Sequence, residues 1–217
     1  MLTPTSLPDG PQAHSVSTAS FPRGALVVLG IWVAMGLAGA RASVLSQLPP
    51  PLFPLVIWTP VVLAGLAYRR RPTLRDALRG VGLRPLILFH TVRAIIGVSF
   101  LVDGARGILP AAFARPAGWG DVTVGLLALP VALCAWRPGA LPTLTRRRIL
   151  QVWNTLGFVD ILLAFVSAQR LAFVVKDPRM QAALGTWPYA VVPLLIVPAV
   201  LATHLLVFGH LARAKRS

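Results

Sequence analysis

Long apolar stretches recur along the chain and constrain its fold more than any other feature. There are six, and they cover approximately residues 24–44, 52–68, 86–109, 120–136, 149–169 and 188–211. A helix needs about 20 mainly apolar residues to cross roughly 30 Å of hydrocarbon, and these stretches reach or approach that length. The sequence therefore predicts an all-α fold, a polytopic transmembrane helical bundle with about six spanning helices.

The composition agrees with a chain that has lipid as its solvent. Hydrophobic residues make up 56% of the 217 residues and charged residues only 12%. A soluble domain carries about twice that charged fraction, so too few polar side chains remain to cover a surface in water. The net charge of +15 would indicate nucleic-acid binding in a soluble protein. Here the basic residues lie in short connections, so we expect no nucleic-acid partner.

The basic residues predict the orientation, because cytoplasmic connections are enriched in Lys and Arg. One set of connections is strongly basic, through Arg69, Arg70, Arg71, Arg75, Arg79, Arg84, Arg137, Arg146, Arg147, Arg148, Arg213, Lys215 and Arg216. The opposite set is less basic, through Arg41, Arg115, Arg170, Lys176 and Arg179. Placing the heavier set inside predicts that the N-terminus and the C-terminus are both cytoplasmic.

The sequence divides into one bundle and two tails. We expect a disordered cytoplasmic tail over 1–22, which lacks the apolar core of a secretory signal, a bundle over 23–212 and a basic C-terminal tail over 213–217. The bilayer is the predicted environment, and anionic lipid headgroups are the expected partners of the arginine-rich connections. A membrane-protein partner or a homo-oligomer is a further expectation.

Ionisable side chains inside the predicted spans are candidates for function, since their burial in hydrocarbon is costly. Counted from the inner end of each span, His90 lies at ~6 Å and Asn154 at ~8 Å. Arg93 and His204 both lie at ~10 Å, while Asp160 lies near the midplane at ~16 Å. We predict that these five side chains form a ligand-binding site, in which Arg93 favours an anionic solute and Asp160 or His204 carries a proton.

A second polar group is predicted near the outer surface. Asp103 and Arg106 are three residues apart and Asp121 begins the next predicted span. Opposite charges at this spacing meet on one face of a helix. We interpret Asp103, Arg106 and Asp121 as structural ion pairs that join two helix ends.

The sequence offers no recognised catalytic or metal-binding motif. It contains no glutamate, no HExxH, no G-x-S-x-G and one cysteine, Cys134. We therefore predict no cofactor, no metal and no catalytic residue, and enzymatic activity stays uncertain. The alternative is a b-type haem, because His90 and His204 have similar predicted depths and imidazoles ligate haem iron axially.

Two segments resemble known sequences. The stretch FARPAGWGD (113–121), within 93–130, and the stretch WNTLGFVD (153–160) resemble uncharacterised bacterial multi-pass inner-membrane proteins. The resemblance implies a multi-pass protein of the bacterial inner membrane and brings no catalytic residues with it.

Three functions are compatible with these features. The first is a small transporter or solute-binding membrane protein that uses the Arg93 site. The second is a non-catalytic membrane subunit or scaffold that contacts a partner through its basic connections. The third is a b-type haem redox protein. The sequence does not distinguish the substrate, the coupling ion, the partner or the oligomeric state. It also leaves open whether Arg93, Asp160, His90 and His204 are functional or structural.

Overall fold

The computed structural model describes residues 21–49, 52–136 and 143–213, which form helices and turns without a strand. The α-helices are α1 (Arg23–Arg41), α2 (Phe53–Arg70), α3 (Pro72–Gly80), α4 (Leu83–Phe89), α5 (Val92–Ala105), α6 (Ala111–Trp136), α7 (Thr143–Gln169), α8 (Pro178–Gly185) and α9 (Val197–Arg213). Two π-helical segments, Arg170–Val174 and Val192–Ile196, follow α7 and precede α9. The predicted tails 1–22 and 213–217 lie almost entirely outside the described residues.

Five helices of the described chain are long and apolar enough to cross a membrane. They span Arg23–Arg41, Leu83–Ala105, Ala111–Cys134, Leu144–Val174 and Val192–Arg213. The second predicted span forms α2, whose 18 residues include Arg69 and Arg70, and it is not among these five. The all-helical class is confirmed, and five of the predicted spans meet the requirement for crossing.

Large apolar side chains face outward around the bundle. Exposed examples are Met35, Leu63, Ile95, Leu126, Leu163 and Leu205. Water-soluble monomers rarely expose apolar patches of this extent, whereas a lipid environment accommodates them. The surface therefore fits a protein that is surrounded by hydrocarbon.

The boundaries of two helices differ from the sequence prediction. Within the span Leu83–Ala105, a two-residue turn at His90 and Thr91 separates α4 from α5, and there Thr91 Oγ1 donates a hydrogen bond of 2.8 Å to the carbonyl of Leu88. Threonine hydroxyls compete in this way for backbone groups of a helix. The fourth span begins at Ala111 instead of residue 120, which places Asp121 well inside α6.

The helices run up and down, so that the bundle has two distinct ends. Arg213 Nη1 at the end of α9 donates a hydrogen bond of 3.1 Å to the hydroxyl of Tyr68 at the end of α2. We call this end, which also carries α3 and the start of α7, the basic end. The opposite end carries α8, and we call it the α8 end. There the hydroxyl of Tyr189, which precedes α9, donates a hydrogen bond to Asp103 Oδ2 at the end of α5.

The α5–α6 packing fixes the centre of the bundle. A Cβ atom built on Gly97 would lie 2.7 Å from the backbone nitrogen of Val122 and 2.9 Å from Cβ of Asp121. Only glycine permits this approach, because real Cβ atoms do not come so close to another backbone. Gly97 thus brings the backbone of α6 against α5, one turn away from Arg93.

Candidate functional site

Arg93 lies at the centre of the bundle and makes contacts with two neighbouring helices. Its side chain is 1% exposed, and all three of its guanidinium nitrogens donate hydrogen bonds. Nε donates to Asp121 Oδ1 on α6 at 2.6 Å, and Nη1 donates to the carbonyl of Gly157 on α7 at 3.0 Å. Nη2 donates to Oδ2 of Asp160, also on α7. We refer to Arg93, Asp121 and Asp160 as the Arg93 cluster.

A glycine on α6 makes room for this arrangement. A Cβ atom built on Gly120 would overlap the carboxylate of Asp160. The carboxylate therefore fills the space that a side chain would take at position 120. Gly120 and Asp121 are adjacent in sequence, so one turn of α6 supplies the space for one carboxylate and carries the other.

The charges of the Arg93 cluster do not cancel when both carboxylates are ionised. One guanidinium faces two carboxylates, which leaves one excess negative charge. The side chain of Asp121 is 6% exposed and that of Asp160 is 24% exposed. An anionic solute would have to displace a carboxylate from Arg93 and would add to the excess. A proton or a cation would compensate the excess negative charge. The geometry of the cluster therefore favours a proton or a cation over the anionic solute that the sequence predicted.

The sequence predicted Asp160 near the midplane and Asp121 near the outer surface, together with Asp103 and Arg106. The structure pairs Asp121 with Arg93 instead. The physical reason is the early start of α6, which moves Asp121 away from the helix end. Asp103 and Arg106 do pair, at 3.7 Å between Oδ1 and Nη1, without Asp121. The predicted three-residue ion-pair cluster is therefore replaced by two separate groups.

His90 and His204 form a second polar group toward the basic end. Both side chains are 0% exposed, and their ring centroids lie 4.2 Å apart. The indole ring of Trp153 packs against His90 at 5.2 Å and donates its N–H to the carbonyl of Val124 at 3.2 Å. The structure therefore brings together the two histidines that the depth estimate placed at similar levels.

Asn154 fixes the tautomer of His204. Its Nδ2 donates a hydrogen bond of 3.2 Å to the carbonyl of His204, so its Oδ1 faces the imidazole Nδ1 at 2.8 Å. Because an amide oxygen only accepts, Nδ1 of His204 carries the proton. In the neutral ring Nε2 then carries an accepting lone pair, and this atom is buried without a hydrogen-bond partner among the described residues. Asn154 therefore binds His204 and not Arg93.

Thr203 fixes the tautomer of His90 in a similar way. Its hydroxyl lies 3.0 Å from the carbonyl of Ala199 and 2.9 Å from that of Val200, to which it donates its proton. The contact of 3.2 Å between Thr203 Oγ1 and His90 Nε2 then requires the imidazole to be the donor. Nδ1 of His90 is left as a second buried lone pair without a partner in the described chain.

The two histidines do not fit a haem ligated between them. Axial imidazoles bind iron from opposite faces of the porphyrin, so a slot for the macrocycle must separate them. The rings of His90 and His204 are instead in contact and completely enclosed by other side chains. No group of three or more potential metal ligands occurs among the described residues. The geometry of this pair therefore gives the haem hypothesis no support.

Sequence reasoning missed the residues that act through their backbone or their small size. Gly120 and Gly157 carry no functional group, and Thr203 and Tyr189 were not singled out. A helical period gives a partial signal, since Gly157 is three residues from both Asn154 and Asp160 and so shares their helix face. The partners across helices have no such signal in the sequence.

Comparison with known proteins gives a family without an assigned activity. No curated protein and no solved structure matches the chain. The family described as "Domain of unknown function (DUF8737)" matches residues 50–212, which include the Arg93 cluster and both histidines but not α1. The matched part is well over half of the chain, and the protein therefore belongs to the DUF8737 family.

Proposed function

We propose that this chain is a small integral membrane transporter whose Arg93 cluster binds a proton during transport. The observation that carries the proposal is the one buried guanidinium that faces two carboxylates at the centre of the bundle. Ionisable groups inside membrane bundles commonly belong to ion or substrate pathways. A proton on one carboxylate brings the cluster to neutrality while the other carboxylate keeps its pair with Arg93.

Asp160 is the proposed proton acceptor. Its side chain is four times as accessible as that of Asp121, at 24% against 6%. Asp121 is more deeply enclosed and accepts the Nε–H of Arg93 at 2.6 Å. A proton that arrives at the accessible carboxylate can weaken its hydrogen bond to Nη2 of Arg93 and so loosen the contact between α5 and α7. In the transport cycle, protonation of Asp160 would thus be coupled to a change in helix packing.

The membrane arrangement is part of the proposal. We propose that α2 crosses the bilayer beside α9 as the sixth span, because its buried residues Ile57 and Val61 pack in one core with Val200 and Leu201 of α9. The basic end would then face the cytoplasm of a bacterial cell, with its arginines next to anionic headgroups.

The first experiment measures whether Asp160 exchanges a proton. The wild-type protein is reconstituted in lipid, and the infrared band of protonated carboxyl groups is followed as the pH is lowered. We expect one component of this band to grow with acidification in wild type and in Asp76→Asn and to be missing in Asp160→Asn. Asp76→Asn is the matched control, because it removes the same carboxylate at an exposed position of α3.

The amount of folded protein in the membrane separates function from architecture. A transporter site predicts that Asp160→Asn accumulates like wild type and loses the band. Loss of Asp160→Asn from the membrane, with Asp76→Asn unaffected, would make the cluster a structural element and contradict the proposal. A band that persists unchanged in Asp160→Asn would assign the proton to another carboxylate and contradict it too.

The second candidate is a membrane subunit that binds a partner through α1. This helix lies outside the residues matched by the family and buries only Gly36 and Ala40. A helix that contributes so little to its own bundle can serve a neighbouring chain. Chemical cross-linking from cysteines placed on the exposed face of α1, at Ile31 and Met35, tests this role. Absence of any cross-linked protein in native membranes would argue against it.

A further inference from the structure

A partly enclosed cavity of about 60 Å³ lies between the Arg93 cluster and the α8 end. Aromatic rings form much of its wall, through Phe53, Phe100, Phe113, Phe165 and Tyr189. Phe100 is central to this wall, since its ring centroid is 5.2 Å from that of Phe113 and 5.7 Å from that of Tyr189. The remaining wall is mainly aliphatic.

One charged side chain lines the cavity. Asp121 is 4% exposed as a residue, and its Oδ1 accepts the Nε–H of Arg93. No described residue donates a hydrogen bond to its Oδ2. Gln169 also lines the cavity, and its Nε2 is buried without a partner among the described residues. Rotation of this amide presents either a donor or an acceptor to the cavity.

We propose that the cavity is a binding site for a small ammonium cation of the methylammonium type. The ammonium group of the ligand donates to Oδ2 of Asp121, and Gln169 supplies a second polar group to the wall of the same cavity. Its methyl group packs against Phe100 and Phe113. This site names the substrate class of the transporter proposed above and rests on that function.

Charge selects the sign of the ligand. With both carboxylates ionised the Arg93 cluster has one excess negative charge, and Asp121 is the member of the cluster that reaches the cavity. Aromatic faces also attract cations, because the ring quadrupole places negative potential above and below the ring. An anion would meet the carboxylate and the ring faces unfavourably, so the cavity distinguishes cations from anions.

Volume limits the size of the ligand. A protein cavity of about 150 Å³ accepts benzene, and this cavity has about 60 Å³. The ligand must therefore be well below the size of an aromatic ring, which leaves ammonium and its smallest alkyl derivatives. A bulky quaternary cation such as tetraethylammonium has the right charge and the wrong size.

The test is equilibrium binding of radiolabelled methylammonium to the purified full chain in mild detergent. We expect saturable binding to wild type that tetraethylammonium does not displace. Asp121→Asn should weaken the binding at least tenfold, because the charged acceptor is lost. Asp76→Asn, on the exposed face of α3, should bind like wild type.

A second variant covers the case in which Asp121→Asn does not fold. Ala164 lines the cavity, so Ala164→Leu fills it without changing any charge and should abolish binding. Absence of saturable methylammonium binding to folded wild type would overturn the proposal. Equal binding by wild type and Ala164→Leu would also overturn it, since the ligand would then sit elsewhere.

The outcome is separable from that of the proposed function. If methylammonium does not bind while the carboxyl band of Asp160 still titrates, the ligand assignment fails and proton binding stands. If methylammonium binds and no carboxyl band depends on Asp160, the site is correct and the proton-binding transporter is not.

Discussion

Replacement of Arg93 by glutamine should be the most destabilising single change in the polar centre of the bundle. The guanidinium is 1% exposed and donates three hydrogen bonds, to Asp121, Asp160 and the carbonyl of Gly157. Glutamine has one terminal amide and no charge, so it leaves two carboxylates that repel each other and lack a counterion.

The expected loss follows from the burial of the pair. Removing one partner of a buried ion pair costs about 3–5 kcal/mol, because the remaining charge is left uncompensated. Arg106→Gln is the matched control, since Arg106 is 68% exposed and lies 3.7 Å from Asp103. An exposed pair contributes at most about 1 kcal/mol. The two variants remove the same group and should differ by at least about 2 kcal/mol.

Reversible unfolding in mixed micelles measures both values. Titration of sodium dodecyl sulfate into a mild detergent is followed by tryptophan fluorescence, to which Trp153 beside His90 contributes from inside the bundle. The double variant Arg93→Gln/Asp121→Asn should lose less than the sum of its two single variants, because it removes one of the stranded carboxylates. A loss for Arg93→Gln no greater than that for Arg106→Gln would refute the buried-cluster reasoning.

Three further predictions concern packing, hydrogen bonding and topology. Gly97→Ala should destabilise the bundle by about 1–3 kcal/mol in the same unfolding assay, because its Cβ would lie 2.7 Å from a backbone nitrogen of α6. Gly65→Ala has open space around its Cβ and should be neutral or stabilising. Asn154→Ala should lower the free energy of unfolding by about 1–3 kcal/mol, because it leaves Nδ1 of His204 unpaired. Thr155→Ala, on the exposed face of α7, is the control and should change this free energy by no more than about 0.5 kcal/mol. In a Cys134→Ser background, single cysteines at Gln47 and Arg75, on either side of α2, should react with an impermeant maleimide from opposite sides of the membrane, with Arg75 protected in intact cells. Labelling of both from the same side would contradict α2 as the sixth span.

Local hydropathy is sufficient to determine the class of the fold. A spanning helix satisfies its backbone hydrogen bonds internally, so apolar length and composition are enough to predict it. The predicted stretches correspond to the helices that contain Arg93, Asn154, Asp160 and His204. Depth along a helix follows from residue counting, which is why His90 and His204 could be placed near each other from the sequence.

Hydropathy was insufficient where a helix contains polar and conformationally unusual residues. The segment 113–121 carries Arg115, Pro116 and two glycines and resembles a loop by composition. The structure makes it the first part of α6, in which Phe113 and Ala117 are buried in one core with Phe100 of α5. Tertiary packing outweighs the weak local signal there, and the shift moves Asp121 from a helix end to the bundle centre.

The pairing of the charges was decided by the tertiary structure alone. The sequence contains six acidic residues and shows that Arg93 needs a partner, but it does not say which helix supplies it. That choice depends on how closely the helices approach, which Gly97 and Gly120 set through contacts with α6 and with Asp160. Residue spacing within a helix is local information, whereas the distance between two helices depends on every side chain between them. The sequence therefore determined a helical protein with spans long and apolar enough to cross a membrane and with ionisable groups inside them, and only the packing made Arg93, Asp121 and Asp160 one site.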